Sequence, residues 1–275
     1  MKISVIQTNS MHDKSRNIAE AVGLMERAVA SDRPDVVVLP EVWNWRGLTT
    51  ADKVKNSDLI PGGPAYEAMQ SFARRNRVWV HGGSLIETIP GASQVHNTTC
   101  VFDRDGREVA RYRKIHMFDI VTPDGKPYRE SDDVKPGTEI VSYELEGFKV
   151  GCTICYDMRF AELYIALAKR GCDIIMVPSS FTLQTGKDHW EVLLRARAIE
   201  TQCYIVAPGQ YGPFLDAKGE TRLSYGHSLI ADPWGHVIAK VSDGTGFASA
   251  NIERGQIERV RGLIPMNAHR RLQVP

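Results

Sequence analysis

Short apolar segments alternate with amphipathic segments along nearly the whole chain, and this order predicts an α/β protein. Residues 2–8 alternate between apolar and polar side chains, as in a half-buried strand. Residues 35–39 are almost entirely aliphatic, which is typical of a strand buried on both faces. Between these two strands, apolar residues recur at helical spacing and share one face: Ile18, Val22, Met25 and Val29.

The same criteria extend the pattern to the end of the chain. Further strands are predicted at residues 78–86, 98–102, 108–113, 139–145, 149–154, 173–178, 204–207, 226–231, 236–241 and 247–252. Helices are predicted at residues 64–76, 160–169 and 190–202 and near 255–261. Residues 122–137 are polar, contain three prolines and are predicted to form a long loop. No linker divides the chain, so we predict one domain over residues 1–275.

Composition narrows the function classes. Of 275 residues, 43% are hydrophobic and 24% charged, as in an ordinary globular protein. The 34 Lys and Arg residues are balanced by 33 Asp and Glu residues. We therefore expect no basic surface that would bind nucleic acid or a membrane. The chain opens without signal-peptide features and has no apolar run long enough for a membrane helix. We therefore expect a cytoplasmic protein that binds neither nucleic acid nor membrane.

The five cysteines are an odd number in a long chain, which argues against a disulfide framework. Cys152 and Cys155 form a Cys-x-x-Cys pair, but no second pair stands at the spacing that a four-ligand zinc site requires. We expect no metal and no cofactor. The other three cysteines lie beside or within apolar strands and are expected to fill the core: Cys100, Cys172 and Cys203.

Cys155 lies between a predicted strand and a predicted helix. A thiol on such a turn faces a cleft, and the positive end of the helix is expected to lower its pKa and make it a nucleophile. The N–H of Tyr156 could then serve as an oxyanion donor. The alternative is a buried structural cysteine, and the turn alone does not decide between the two.

Three charged residues accompany this cysteine. Glu41 and Lys114 each follow a predicted strand, and Glu130 lies in the long loop. Together with Cys155 they resemble the Glu-Lys-Cys triad of the nitrilase superfamily of carbon–nitrogen hydrolases. The resemblance rests on Leu-Pro-Glu at 39–41, Tyr-Arg-Lys-Ile-His at 112–116, Gly-Cys-Thr-Ile-Cys-Tyr-Asp-Met-Arg-Phe at 151–160 and Asp-Pro-Trp-Gly at 232–235.

This resemblance implies a four-layer αββα sandwich that assembles as a homodimer or higher homo-oligomer through helices near the site. It implies that Cys155 attacks an amide carbonyl and that Glu41 acts as general base. Lys114 and the Tyr156 N–H would stabilise the oxyanion, and Glu130 would orient the lysine and the substrate.

The branch of the superfamily follows from the residues around the nucleophile. Tyr156 and Asp157 stand where nitrilases usually carry Trp-Glu, and this favours an amidase acting on linear amides rather than on peptide bonds of proteins. The segments 114–120 and 154–163 are similar to the omega-amidases, whereas 189–204 and 224–228 are similar to the deaminated-glutathione amidases. Both imply a small-molecule substrate, namely the ω-amide of a 2-oxo carboxylic acid, and release of ammonia or an amine.

Candidate substrate-binding residues follow from the same comparison. Arg159, four residues after the nucleophile, could bind the carboxylate through two parallel hydrogen bonds. Phe181 and Thr185 match positions that contact substrate in the deaminated-glutathione amidases. Residues 184, 210–211 and 216–223 match neither subfamily and are expected to shape the leaving-group pocket. An N-carbamoyl amide hydrolase and a non-catalytic partner-binding protein of the same fold remain as alternatives.

Overall fold

The computed structural model of this protein describes residues 1–47, 50–122, 125, 127–216 and 219–272. Its strands are β1 (Lys2–Gln7), β2 (Val36–Val38), β3 (Trp79–His81), β4 (Leu85–Thr88), β5 (Val95–Phe102), β6 (Glu108–Arg113), β7 (Asp119–Val121), β8 (Pro127–Arg129), β9 (Ser142–Leu145), β10 (Phe148–Cys152), β11 (Ile174–Met176), β12 (Tyr204–Ala207), β13 (Tyr211–Leu215), β14 (Thr221–Tyr225), β15 (Leu229–Ala231), β16 (Val237–Lys240) and β17 (Gly246–Asn251). Its helices are α1 (Lys14–Asp32), α2 (Thr50–Asn56), α3 (Pro64–Asn76), α4 (Ala161–Lys169), α5 (Leu183–Thr201), α6 (Arg254–Leu263) and α7 (Met266–His269). Short 3-10 helices span Glu130–Asp132 and Cys155–Arg159.

Two mixed sheets form the centre of the molecule. The first has the order β17-β1-β2-β3-β5-β4, and β6 also pairs with β5. The second has the order β16-β15-β12-β11-β10-β9. Each sheet contains three adjacent parallel strands, β1-β2-β3 in the first and β10-β11-β12 in the second. The carboxyl ends of parallel strands share one edge of a sheet, and active sites of α/β proteins collect there.

The sheets face each other and helices cover their outer sides. Trp79 on β3 stacks on Tyr143 on β9 with ring centroids 6.5 Å apart, so the two sheets are in contact. Helices α1 and α3 pack on the first sheet through a cluster that includes Met25 and Phe72. Helices α4 and α5 pack on the second sheet. Burial of these apolar faces is the main stabilising contribution to this four-layer αββα arrangement.

Most predicted elements are present, with two local differences. The predicted strand 78–86 is divided into β3 and β4, which lie on either side of β5. The predicted helix 190–202 begins earlier, at Leu183, because the Thr182 hydroxyl caps it by accepting from the Thr185 N–H. The sequence pattern also missed α2 and the β13–β14 hairpin.

Gly83 explains the divided strand. It adopts φ +57°, in the left-handed region that favours glycine, and a Cβ there would collide with the carbonyl oxygen of Pro40. The chain therefore turns tightly against the segment that carries Glu41, and the Ser84 N–H donates to the same carbonyl at 3.1 Å. This hydrogen bond connects the turn between β3 and β4 to the segment that follows β2.

The predicted long loop contains β8 and one of the 3-10 helices, and its residues Pro123, Asp124 and Lys126 lie outside the described residues. Ala217 and Lys218, in the predicted pocket segment 216–223, also lie outside them. Over the described part of the chain, no helix combines the length and apolar character needed to cross a bilayer.

Candidate active site

A cavity of about 610 Å³ opens where the carboxyl ends of strands from both sheets meet. Its wall contains Glu41, which follows β2, Lys114, which follows β6, and Cys155, which follows β10. Glu130, from the 3-10 helix after β8, lines the same cavity. The fold therefore brings together all four residues that the sequence pattern selected as catalytic candidates.

Lys114 lies between two carboxylates. Its Nζ is 3.1 Å from Oε1 of Glu41 and 2.9 and 2.7 Å from the two oxygens of Glu130. Lys114 is 2% exposed. Burial alone would lower the pKa of the Lys114 ammonium, but attraction to Glu130 and Glu41 outweighs it and raises the pKa well above its usual value. Lys114 is therefore a fixed positive charge at neutral pH.

Neighbouring amides hold Glu41 in place. Asn97 on β5 donates from Nδ2 to Oε1 of Glu41 at 2.9 Å. Gln210 donates from Nε2 to the backbone carbonyl of Glu41 at 3.0 Å. Val42, the next residue, has φ +45°, which is unusual for a β-branched residue and marks a sharp turn. Hydrogen bonds thus hold both the backbone and the carboxylate of Glu41 in place.

Cys155 occupies a similar turn. Its φ is +48°, and its own N–H donates to the carbonyl of Pro178 at 2.9 Å. Such conformations cost about 1–3 kcal/mol and are found where the surrounding structure enforces them, often at active sites. Glu41, Lys114 and the backbone of Ser180 all influence the pKa of the Cys155 thiol. Cys155 and the proposed general base Glu41 lie in the wall of the same cavity.

The expectation that a helix lowers the pKa of Cys155 is wrong. Burial raises the pKa of this thiol well above its usual value, and the charge of Glu41 raises it further. Lys114 and the Ser180 N–H act in the opposite direction without reversing the shift. The reason is structural, since Cys155 is the first residue of a 3-10 helix of only five residues and α4 begins only at Ala161. Cys155 therefore needs a base to remove its proton.

Asp157 connects the nucleophile's turn to the strand of Lys114. Its buried carboxylate accepts from the Ile154 N–H at 2.8 Å, the Tyr112 hydroxyl at 2.7 Å and the His116 N–H at 3.0 Å. The Nδ1 of His116 lies 2.8 Å from the same carboxylate. Sequence reasoning did not select Asp157, although its place two residues after the nucleophile was a signal.

The predicted substrate-binding residues divide into two groups. Phe181 and Thr185 line the cavity, as does Tyr156. Arg159 is not among the lining residues that the structure describes. Its guanidinium carbon is 5.4 Å from the ring centroid of Phe181, and its Nη1 is 3.3 Å from Nδ1 of His189. The carboxylate-binding role of Arg159 stays a prediction.

Arg46, a cation on the cavity wall, was not selected by sequence reasoning. Its guanidinium lies 3.4 Å from the ring centroid of Phe214, in the hairpin that the sequence pattern also missed. That hairpin contributes several further residues to the cavity wall: Asp216, Glu220, Arg222 and Ser224. Of the segments expected to shape the leaving-group pocket, Asp216, Glu220 and Arg222 line the cavity, whereas Gln184, Gln210 and Tyr211 are not among its described lining residues; the leaving-group role stays a prediction.

The remaining cysteines are buried away from this chemistry. Cys100, Cys152, Cys172 and Cys203 are free, buried and absent from the cavity wall, so their predicted place in the core is confirmed. Burial raises the pKa of Cys203 to about 11. Within the described ranges, no group of three or more His, Cys, Asp or Glu side chains is arranged to hold a metal ion.

Sequence comparison places the chain among proteins with a common reaction type. The sequence pattern of the family described as carbon-nitrogen hydrolase matches residues 2–262. A protein named deaminated glutathione amidase from Synechocystis is 37% identical over 270 residues, covering 97% of each chain. The human protein of the same name is also 37% identical, over 98% of this chain and 82% of its own length.

Solved structures agree with the fold. The NitFhit protein of Caenorhabditis elegans matches with a TM-score of 0.89 and 36% identity over 98% of this chain, which spans 65% of that protein's chain. Nit3 of Saccharomyces cerevisiae, a member of the nitrilase superfamily, matches with a TM-score of 0.87 and 29% identity, over 99% of this chain and 97% of its own. These matches confirm the predicted αββα fold class.

Proposed function

The chain belongs to the carbon–nitrogen hydrolase family of amide-hydrolysing enzymes, and we propose that it hydrolyses the ω-amide of a small 2-oxo carboxylic acid through a thioester on Cys155. One observation carries the mechanism. Cys155, Glu41 and Lys114 line the same cavity, and the Glu41 carboxylate lies 3.1 Å from the Lys114 ammonium. A nucleophile, a base and a fixed positive charge therefore stand together at one end of a cavity.

The first half of the proposed reaction forms the acyl-enzyme. Glu41 removes the thiol proton while Sγ of Cys155 attacks the amide carbonyl carbon. The resulting oxyanion is stabilised by the Lys114 ammonium and by the N–H of Tyr156. The C–N bond then breaks, Glu41 returns the proton to the leaving nitrogen, and ammonia or an amine departs.

The second half restores the enzyme. Glu41 takes a proton from a water molecule, and the hydroxide attacks the thioester carbonyl. The same donors stabilise the second oxyanion. The C–S bond breaks, Cys155 recovers its proton from Glu41, and the carboxylic acid leaves. Glu130 acts in both halves by fixing the position of Lys114, which it contacts through both oxygens.

The substrate class is supported by the names of the relatives and by the cavity. Relatives from Synechocystis and human are named deaminated glutathione amidase, which fits the proposed ω-amide of a 2-oxo acid. The volume of about 610 Å³ is in the range of small-molecule sites. Rings of Phe181 and Tyr156 contribute to the wall beside the nucleophile and can contact the carbon chain of a small substrate.

The test is a substrate panel. Purified protein is incubated with deaminated glutathione, 2-oxoglutaramate, simple aliphatic amides and N-carbamoyl amino acids, and ammonia and carbon dioxide are measured. We expect ammonia without carbon dioxide, from the 2-oxo acid amides first. Carbon dioxide from the N-carbamoyl compounds would instead support the carbamoyl hydrolase alternative.

Variants test the nucleophile. Cys155→Ala should lower turnover by a factor of about 10³ or more, since it removes the attacking atom. Cys152→Ala, three residues earlier and buried in the core, is the matched control and should keep the activity. Full activity in Cys155→Ala would disprove the mechanism.

We also propose that the protein forms a homodimer through α5, a helix near the site. Val192 and Ile199, seven residues apart on α5, share a helix face and are 68% and 48% exposed. Sedimentation velocity of the wild type should give twice the monomer mass of 30.7 kDa. Val192→Glu should shift the mass towards the monomer, whereas a monomeric wild type would contradict the proposal.

A further inference from the structure

Arg46 lies on the cavity wall, five residues after Glu41. Its guanidinium carbon stands 3.4 Å from the ring centroid of Phe214, and its Nη1 donates to Oγ of Ser224 at 3.0 Å. Its backbone N–H donates to the carbonyl of Met11 at 3.0 Å. One face of the guanidinium is therefore fixed against the β13–β14 hairpin.

No carboxylate among the residues that the structure describes forms a direct ion pair with Arg46, although the charge of Glu41 acts on its guanidinium. The other guanidinium of this hairpin differs, since Nε of Arg222 lies 2.7 Å from Asp216. In the same described ranges, Ser224 is the one acceptor that the Arg46 guanidinium meets. A guanidinium carries five N–H donors, so most of those of Arg46 are available to a ligand.

The electrostatics of the cavity give this charge a function. Away from the catalytic end, the cavity wall carries Lys53, Arg129 and Arg222 together with Asp133, Asp216 and Glu220. At the catalytic end, the two carboxylates of Glu41 and Glu130 flank the single ammonium of Lys114, and the raised pKa of Cys155 keeps its thiol neutral. An anionic substrate would meet an excess of negative charge there. Burial lowers the pKa of Arg46 to about 10, so the guanidinium stays protonated at neutral pH.

We propose that Arg46 binds a carboxylate of the substrate and selects amides that carry one. A guanidinium held flat against a ring presents its edge, and a carboxylate can accept two parallel hydrogen bonds from that edge. The inference rests on the proposed amide hydrolysis and adds the residue that recognises the acid. The proposal gives the carboxylate-binding role to Arg46, which lines the cavity, rather than to Arg159, which is not among the described lining residues.

The kinetic test compares two amides of equal chain length, glutaramate with a carboxylate and pentanamide without one. In Arg46→Gln, kcat/KM for glutaramate should fall by about 10- to 100-fold, mainly through KM, as expected for loss of a charge-assisted hydrogen bond. For pentanamide it should change by less than about threefold, since that amide has no group for Arg46 to bind. Arg46→Lys should recover part of the loss, because it keeps the charge without the fork geometry.

Two further variants serve as controls. Arg107→Gln removes one positive charge at a side chain that is 75% exposed, so it reports the effect of net charge. Arg159→Gln removes the cation that the sequence pattern favoured. Arg107→Gln should leave the ratio of kcat/KM for the two amides unchanged, whereas Arg159→Gln tests the competing assignment. Equal losses for both amides in Arg46→Gln, or a loss of discrimination in Arg159→Gln alone, would overturn the proposal.

A binding measurement separates this inference from the proposed function. Glutarate is titrated calorimetrically into the wild type and into Arg46→Gln, which requires no turnover. Binding at least about tenfold weaker in the variant supports the carboxylate site, by the same loss of a charged hydrogen bond. Equal binding, or no binding to the wild type, refutes it. If neither amide is hydrolysed, the proposed function fails and the glutarate titration alone decides the role of Arg46.

Discussion

Asp157 is bound twice to His116, through the backbone N–H at 3.0 Å and through the ring Nδ1 at 2.8 Å. The ring of His116 in turn stacks on Phe160 with centroids 3.7 Å apart. His116 therefore acts as the scaffold that joins the segment of Lys114 to the turn of Cys155. The segments of the two catalytic candidates are thus connected by a residue that is not among the described lining residues of the cavity.

Replacement of Asp157 should disrupt this connection. In Asp157→Asn, the amide NH₂ would face donors such as the Tyr112 hydroxyl and the Ile154 N–H in a site with no exposure. We expect the free energy of unfolding to fall by about 2–4 kcal/mol and kcat/KM to fall as well. Urea unfolding measures the first and ammonia release the second. Asp188→Asn, at an exposed position of α5, should leave both unchanged, and wild-type stability in Asp157→Asn would contradict this reading.

Glu41 should control the titration of Cys155. Its negative charge is one cause of the raised pKa of the thiol, so Glu41→Gln should lower that pKa. Alkylation by iodoacetamide requires the thiolate. The pH midpoint of Cys155 alkylation, followed by mass spectrometry, should therefore move to lower pH while amide hydrolysis is lost. Glu67→Gln, on the exposed surface of α3, should leave the midpoint in place, and an unchanged or higher midpoint in Glu41→Gln would refute the assignment.

Glu130 should control the titration of Lys114. Attraction to Glu130 is the largest cause that raises the pKa of this ammonium, so Glu130→Gln should lower it. If Lys114 must be protonated to stabilise the oxyanion, the alkaline limb of the kcat profile should move to lower pH and kcat should fall by about 10- to 100-fold. A profile identical to that of the wild type would show that Glu130 has no such role.

Gly83 should determine the position of Glu41. A Cβ at residue 83 would collide with the carbonyl of Pro40, whereas a Cβ at Gly91, which also has positive φ, would meet open space. Both alanine variants share the backbone strain, so their difference isolates the collision. Gly83→Ala should be less stable than Gly91→Ala by about 1–3 kcal/mol and should lose activity as the turn of Glu41 shifts. Equal thermal stability of the two variants would disprove this.

The sequence alone determined the elements and the catalytic candidates. Alternation and helical periodicity located most strands and helices because each element must bury one face. Glu41, Lys114 and Cys155 each lie at or just beyond the end of a predicted strand, where α/β folds place their sites, but only their joint resemblance to a known triad selected them. The motifs around these residues were sufficient to indicate the family.

Only the tertiary structure determined the direction of the pKa shift of Cys155 and the position of Arg46 on the cavity wall. The pKa of Cys155 depends on burial and on Glu41, which is distant in sequence, so the local turn predicted the wrong direction. Arg159 was favoured by its spacing, yet Arg46 lines the cavity, because the turn after β2 and the β13–β14 hairpin meet only in the folded chain. Local patterns fix which segments are strands and helices. Solvation and long-range contacts, which depend on how those segments pack, fix what the side chains can do.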